Sequence, residues 1–231
     1  MELIWEGMKH SLWLLLTGDP EVLGITLLSL QVSAVATGLS LLVGIPLGTL
    51  IALARFPGRS LVISLVNTGM GFPPVVVGLF VSILLWRSGP LGMLELLYTP
   101  TAIVIAQFVI AAPIVTGLTL AAVQQIPPAF RLQILALGAS RLQLVWVLLR
   151  EAQLLLLAAM MAGFGGVISE VGASMMVGGN IRGQTRVLTT ATVLETGKGN
   201  FDVAIALSLL LLLITFLVNW ALTWIQQHRR A

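Results

Sequence analysis

Long apolar runs, broken by single charges, set the pattern of this chain. No Asp, Glu, Lys or Arg occurs in 22–54, 60–86, 96–130, 152–169 or 203–228. A membrane-spanning helix needs about 20 mostly apolar residues. Every run but 152–169 exceeds that, and this one reaches it by continuing through Glu170 toward Val177. The pattern therefore predicts five transmembrane helices, at about 23–53, 61–86, 101–122, 152–176 and 203–226, in an all-α polytopic bundle. In 1–20, apolar Leu3, Ile4, Trp5, Leu12, Trp13 and Leu14–Leu16 are interrupted by Glu2, Glu6, Lys9 and His10. That mixture reads as an N-terminal interfacial helix with two tryptophans at headgroup level, a sixth span being the alternative. The 22–54 run is longer than a signal peptide's apolar region and lacks a basic flank, so it is expected to be retained.

Composition narrows the class. The 231 residues are 58% hydrophobic and 9% charged, against about 25% charge in a soluble domain. The net charge of +3 carries no argument for nucleic acid, because a few arginines at a membrane surface account for it. Without cysteine, disulfides, thiol catalysis and cysteine metal sites are excluded. With five spans, Arg55, Arg59, Arg131, Arg141, Arg150, Arg229 and Arg230 share one side, and Lys9, Arg87, Arg182, Arg186 and Lys198 the other. The richer side is expected to be cytoplasmic, placing the N-terminus outside and the C-terminus inside a cell membrane. A single membrane domain over 21–228 follows the 1–20 segment, with outer loops at 88–100 and 178–202. Thr185–Glu195 is expected to hold a short helix.

Between the third and fourth spans lies a basic, helical segment, 127–151. Pro127 and Pro128 end one helix and suit the start of another. From Phe130, apolar Ile134, Leu135 and Leu137 lead to a break at Gly138-Ala139-Ser140, and a helix resumes at Leu142. Such a protrusion either docks a soluble partner or packs against lipid headgroups.

Three places inside the spans carry candidate chemistry. Pro73-Pro74, with Gly69, Gly71 and Gly78 nearby, predicts a loosened helix near mid-membrane. Freed backbone groups there must face protein or a water-filled path, unless the prolines only kink the helix. Glu170 is the one ionisable residue within a span. On a continuous helix it shares a face with Ala159, Gly163, Gly166 and Ala173, so it is expected to point into the bundle. An intramembrane carboxylate is functional by default, and its two readings are a structural, hydrogen-bonding group and a proton relay. Beyond the span, Asn180, Arg182 and Arg186 are either solvated loop residues or contacts for an anion or an acidic partner.

Several stretches of the chain resemble a known family. Gly138-Ala139-Ser140-Arg141-x-Gln143 resembles the glycine core of the coupling loop of ABC-importer permeases, although Leu132, Gln133 and Ile134 replace that loop's Glu-Ala-Ala and Arg150-Glu151 its Leu-Pro. Pro73-Pro74-Val75-Val76-Val77-Gly78-Leu79 resembles permeases for molybdate, tungstate and sulfate. The run from Glu170 to Ile181, and Thr185 to Ala191 with Leu194-Glu195-Thr196, is more similar still to tungstate permeases. The resemblance covers about 20–225. It implies a type I ABC importer permease fold, a homodimer in the lipid bilayer, a cytoplasmic ABC ATPase dimer and an extracytoplasmic oxyanion-binding protein. It also implies ATPase coupling through Arg131, Gly138, Ala139, Ser140 and Arg141, and a translocation path near Pro73, Pro74, Gly78, Glu170 and Ser174.

No catalytic constellation is expected. His10 and His228 lie at opposite ends, and no zinc-protease, nucleophile-turn or P-loop motif occurs. No metal or cofactor is implied, and ATP hydrolysis is expected from a separate subunit. The rival reading is a secondary transporter using Glu170 as its proton site.

Overall fold

The computed structural model describes residues 18–228 together with Trp5 and Lys9. The interfacial segment expected over 1–20 lies outside the described residues except for those two, where Lys9 Nζ sits 5.4 Å from the Trp5 ring centroid. Among the described residues every regular element is a helix.

Helix α1, Pro20–Leu53, begins where Asp19 accepts hydrogen bonds from the Glu21 and Val22 N–H groups at 2.9 and 3.0 Å. Asp19 as N-cap, Pro20 in the first turn and Glu21 beside the positive helix end together satisfy and stabilise the orphan donors. At its other end, Arg59 Nε donates to the Ile51 carbonyl at 2.8 Å. A stripe of small residues, Ser29, Ser33, Ala36, Ser40, Gly44 and Gly48, is buried along its length. That stripe packs on α4, Pro100–Gln124. A Cβ placed on Gly48 would lie 2.5 Å from the Thr116 carbonyl oxygen and 2.8 Å from Thr119 Cβ; one on Gly44 would lie 2.8 Å from Val115 Cγ1. Gly44 meets Val115, Gly48 meets Thr119 and Ile51 packs with Val123, so α1 and α4 run parallel.

Parallel packing constrains the chain between them. To start α4 on the face where α1 began, residues 54–99 must cross the membrane once. That crossing is made by α2, Arg59–Met70, and α3, Pro74–Leu85, bent by 101° at Gly71–Pro73. The expected single span 61–86 is thus two half-helices. Pro73 and Pro74 supply no N–H, and the residue before a proline is driven out of the helical region, so α2 cannot continue.

Past α4 come α5, Pro128–Ala136, and α6, Arg141–Glu151, on the face where α1 ends. Next, α7, Gln153–Ile168, turns 69° from α6 and runs antiparallel to α4. Gln107 Nε2 donates to the Val167 carbonyl at 3.1 Å, and Gly163 faces Val115. The continuous helix expected through Glu170 is absent: α7 ends at Ile168, Ser169–Val171 is non-helical, and α8, Gly172–Gly178, completes the crossing. The Glu170 helical face with Ala159, Gly163 and Gly166 does not form. Beyond it, α9, Leu188–Gly197, is the short helix expected within 185–195, shifted by a turn. The last span, α10, Phe201–His228, packs its first half on α9 and the start of α1. Its far end returns to α7, where Gln226 Nε2 donates to the Leu154 carbonyl at 3.1 Å. The α1, α4 and α10 helices are each long and apolar enough to cross alone, and the bent pairs α2–α3 and α6–α7 raise the number to as many as five.

Close approach of α1 and α4 generates a test. Gly48→Ala drives a Cβ into the Thr116 backbone and is expected to cost about 1–3 kcal/mol. Gly38→Ala meets nothing within 4 Å and is expected to be neutral or to stabilise by up to about 1 kcal/mol. Thermal unfolding of both variants in detergent reads the difference.

Candidate translocation path and docking surfaces

Two half-helices start beside one another at mid-depth. The N-terminus of α3 meets that of α8: a Cβ on Gly172 would lie 2.6 Å from Val75 Cγ2, and one on Gly78 2.7 Å from Ala173 Cα. Both glycines are required because the helices lie in backbone contact. The predicted path residues therefore separate. Pro73 and Pro74 are exposed at the break, together with Gly71, Phe72, Val75 and Val76. Gly78, Glu170 and Ser174 are buried in the α3–α8 contact, Glu170 being 5% and Ser174 1% exposed.

The Glu170 carboxylate caps α8. Its Oε1 accepts from Ala173 N–H at 2.9 Å, and its Oε2 accepts from Ser174 N–H at 2.9 Å and from Ser174 Oγ at 3.1 Å. A buried helix start leaves donors that lipid does not satisfy, and an anionic acceptor at the positive end is the strongest replacement. The backbone of Glu170 is held as well, its carbonyl accepting from Thr189 Oγ1 at 2.8 Å. Thr185 Oγ1 donates to the Gly178 carbonyl at 2.5 Å, and Asn180 Nδ2 to the Thr190 carbonyl at 3.2 Å. These ties draw α9 down onto α8. Asn180 has φ of 52°, a left-handed conformation that asparagine tolerates better than most residues.

On the face where α1 begins, Arg182 and Arg186 are not free. Arg182 forms a two-pronged pair with Glu21, its Nε donating to Oε1 at 2.8 Å, and Arg186 Nη1 donates to the same Oε1 at 3.4 Å. The Glu21 hydrogen bond and charge raise the Arg182 pKa further above its ordinary value. Hydrogen bonds from Lys198 and Asn200, both at 2.7 Å, hold the Glu195 carboxyl below the usual range. A cavity of about 400 Å³ lies among Asp19, Glu21, Arg182, Arg186, Glu195 and Lys198. Its cations are matched by as many carboxylates, so fixed charge gives this mouth no strong pull on an anion.

On the opposite face, α5 and α6 meet at Gly138, whose φ of +86° lets the chain reverse. Ser140 caps α6, its Oγ accepting from Gln143 N–H at 3.3 Å while Gln143 Oε1 accepts from Ser140 N–H at 2.7 Å. Arg131 turns inward: its Nη2 donates to the Val123 carbonyl at 2.7 Å, closing the end of α4. Arg141 remains exposed and Ala139 half-buried. The protruding surface is apolar, with Leu137 84% and Leu142 81% exposed and Leu132 beside them. Arg150 stacks over Trp146, 5.3 Å from its ring centroid. The coupling residues expected from the sequence are Arg131, Gly138, Ala139, Ser140 and Arg141; the exposed Leu132, Leu137 and Leu142 beside them are not among those expected.

The cap at Glu170 predicts a graded effect. Glu170→Ala leaves two buried N–H groups unpaired and is expected to cost about 1–3 kcal/mol. Glu170→Gln keeps one acceptor oxygen and is expected to cost less. Thermal unfolding in detergent ranks the two, and equal stability of all three proteins would refute the cap.

The chain matches the family model described as "Binding-protein-dependent transport system inner membrane component" over residues 44–231. It is 40% identical over 228 residues to the tungstate uptake system permease protein TupB of Peptoclostridium acidaminophilum, covering 99% of this chain and 100% of that protein. Against the same-named protein of Campylobacter jejuni subsp. jejuni it is 36% identical over 220 residues, covering 95% and 92% of the two chains. Against the molybdenum transport system permease protein ModB of Escherichia coli K12 it is 29% identical over 225 residues, covering 91% and 97%. In fold it is similar to a chain of the MetNI methionine ABC transporter in an inward-facing conformation, with a TM-score of 0.75 at 23% identity over 94% of this chain and 96% of that one. With two broken crossings, a protruding helical turn and a family match over most of its length, the chain belongs to the inner membrane components of binding-protein-dependent transport systems.

Proposed function

We propose that this chain is the permease subunit of an ATP-driven ABC importer that carries an oxyanion into the cell, tungstate first and molybdate next. The observation that carries the reading is the identity to a tungstate uptake permease across 99% of this chain. The geometry supports it: at the break before α3 the Val75 N–H is exposed without an acceptor among the described residues, a backbone donor that can meet an anion without a cationic side chain that would retain it.

In this reading the face where α1 ends is cytoplasmic, as its seven Lys and Arg residues against five direct. A cytoplasmic ABC ATPase dimer docks against α5, the Gly138 turn and α6, through Leu132, Leu137 and Leu142 with Arg141 at the rim, and performs the hydrolysis. An extracytoplasmic binding protein delivers the oxyanion to the face bearing Asn180, Arg182 and Arg186. Two copies of the chain form the path between them. ATP closure moves α5 and α6, and their rigid attachment to α4 and α7 rocks the core between outward-open and inward-open states. Arg131 serves this coupling by locking α5 onto α4. Tungstate and molybdate share charge and nearly share size, so selection between them belongs to the binding protein.

Reconstitution with the partner ATPase in proteoliposomes tests the reading. ATP hydrolysis is expected to rise when a tungstate-loaded binding protein is added, and less or equally with molybdate. Uptake that runs on a proton gradient without any ATPase would overturn it in favour of a secondary transporter. Gly138→Trp tests the coupling segment: a side chain at this positive φ costs about 1–2 kcal/mol and reshapes the turn. The variant is expected to reach the membrane and bind the ATPase but to hydrolyse ATP without uptake, measured in the same liposomes.

A further inference from the structure

Helix α2 has three distinct faces. Gly69 lies against Pro113, and Val62 and Val66 pack with Ile51, Leu120 and Val123, so one face is turned to α4 and α1. Leu61 and Leu65 form a second, exposed and apolar. Ser60, Ser64, Asn67 and Gly71, spaced by 4, 3 and 4 residues, form a third, also exposed, with Thr68 at its edge. This polar face points away from the chain's own bundle.

Many hydroxyls of the membrane helices are satisfied within their own helix. Ser29, Ser40, Thr49, Thr116, Ser208, Thr215 and Thr223 each donate back to the carbonyl four residues earlier, at 2.7–2.8 Å. Thr68 does the same to the Ser64 carbonyl at 2.8 Å. Ser60, Ser64 and Asn67 have no side-chain hydrogen bond to any described residue, and all three are exposed. An unpaired amide facing hydrocarbon is strongly disfavoured, whereas one facing water is not. Leu61 and Leu65 already provide the face that suits lipid. The polar face ends at Gly71–Pro74, where the Val75 N–H at the start of α3 has no acceptor among the described residues.

Resting on the oxyanion importer reading, we infer that Ser60, Ser64, Asn67 and Thr68 line the inner half of the anion path, with the Asn67 amide donating to the passing oxyanion. The stripe leads from the loop beside Arg59 to the broken helix start, joining one face of the membrane to mid-depth. A second copy of this chain supplies the opposing wall, since the stripe is turned outward from its own protomer. The donors are hydroxyls and an amide, all uncharged. They replace part of the anion's hydration without the grip of an arginine, so the cargo is released.

The absence of cysteine makes the natural chain its own labelling background. Ser64→Cys, Asn67→Cys and Leu65→Cys are reconstituted with the ATPase in liposomes and treated with a charged, membrane-impermeant thiol reagent. Cysteines at 64 and 67 are expected to react at least tenfold faster than the one at 65, and tungstate is expected to slow the reaction at 67. Asn67→Asp is expected to lower tungstate uptake at least tenfold while ATP hydrolysis persists, and Asn67→Ser to retain most uptake. Equal, slow labelling at 64, 65 and 67, or wild-type uptake by Asn67→Asp, would overturn the inference. Should the wild-type chain import neither tungstate nor molybdate, the importer reading fails on its own, while labelling still reports whether this face is hydrated.

Discussion

The carboxylate of Glu170 is what allows a span to break where no water reaches. Lipid offers nothing to an unpaired N–H, so a helix start inside a membrane needs an acceptor from the protein. Glu170 provides one for Ala173 and another for Ser174, and its own carbonyl is held by Thr189. With α8 secured, Gly172 and Ala173 present a flat surface on which Val75 and Gly78 settle. The start of α3 is thereby fixed beside that of α8. A carboxylate exposed on an anion path would repel the cargo; Glu170 is instead buried as a cap.

Charge elsewhere in the protein is spent in the same way, on ends of helices. Arg59 closes α1 and Arg131 closes α4, each donating to a carbonyl eight residues earlier. Glu21 takes up Arg182 and Arg186. What is left for partners is mostly apolar or neutral: leucines around the Gly138 turn, and hydroxyls and an amide along α2. Apolar surface of this kind can be buried against a partner without the desolvation cost of buried ions.

Much of this was legible in the chain. The charge-free runs fall on α1, on α2 with α3, on α4, on α7 and on α10, because an apolar stretch of that length has no other stable place than a membrane. Pro127-Pro128, Gly138 and Ser140-x-x-Gln143 mark the ends of α5 and α6 through local geometry alone. Pro73-Pro74 marked a weak point in the second crossing. The break after Ile168 carried no such mark. Ser169-Glu170-Val171 contains no proline or glycine, and a helix through it satisfies every propensity rule; only α3 and α9, arriving from distant parts of the chain, make the break the better solution. The polar period 60, 64, 67, 71 was visible, but a period does not say which way a helix is turned.

Sequence by itself determined that the chain lives in a membrane, which stretches can cross it, and where its local turns fall, since these depend on transfer free energy and on φ preferences of neighbouring residues. Only the tertiary structure decided that Glu170 is a cap, that Arg131, Arg182 and Arg186 already have partners, and that the polar face of α2 is turned away from its own bundle. Those outcomes depend on which groups meet across tens of residues, and a side chain's role follows from the acceptor or donor it finds there.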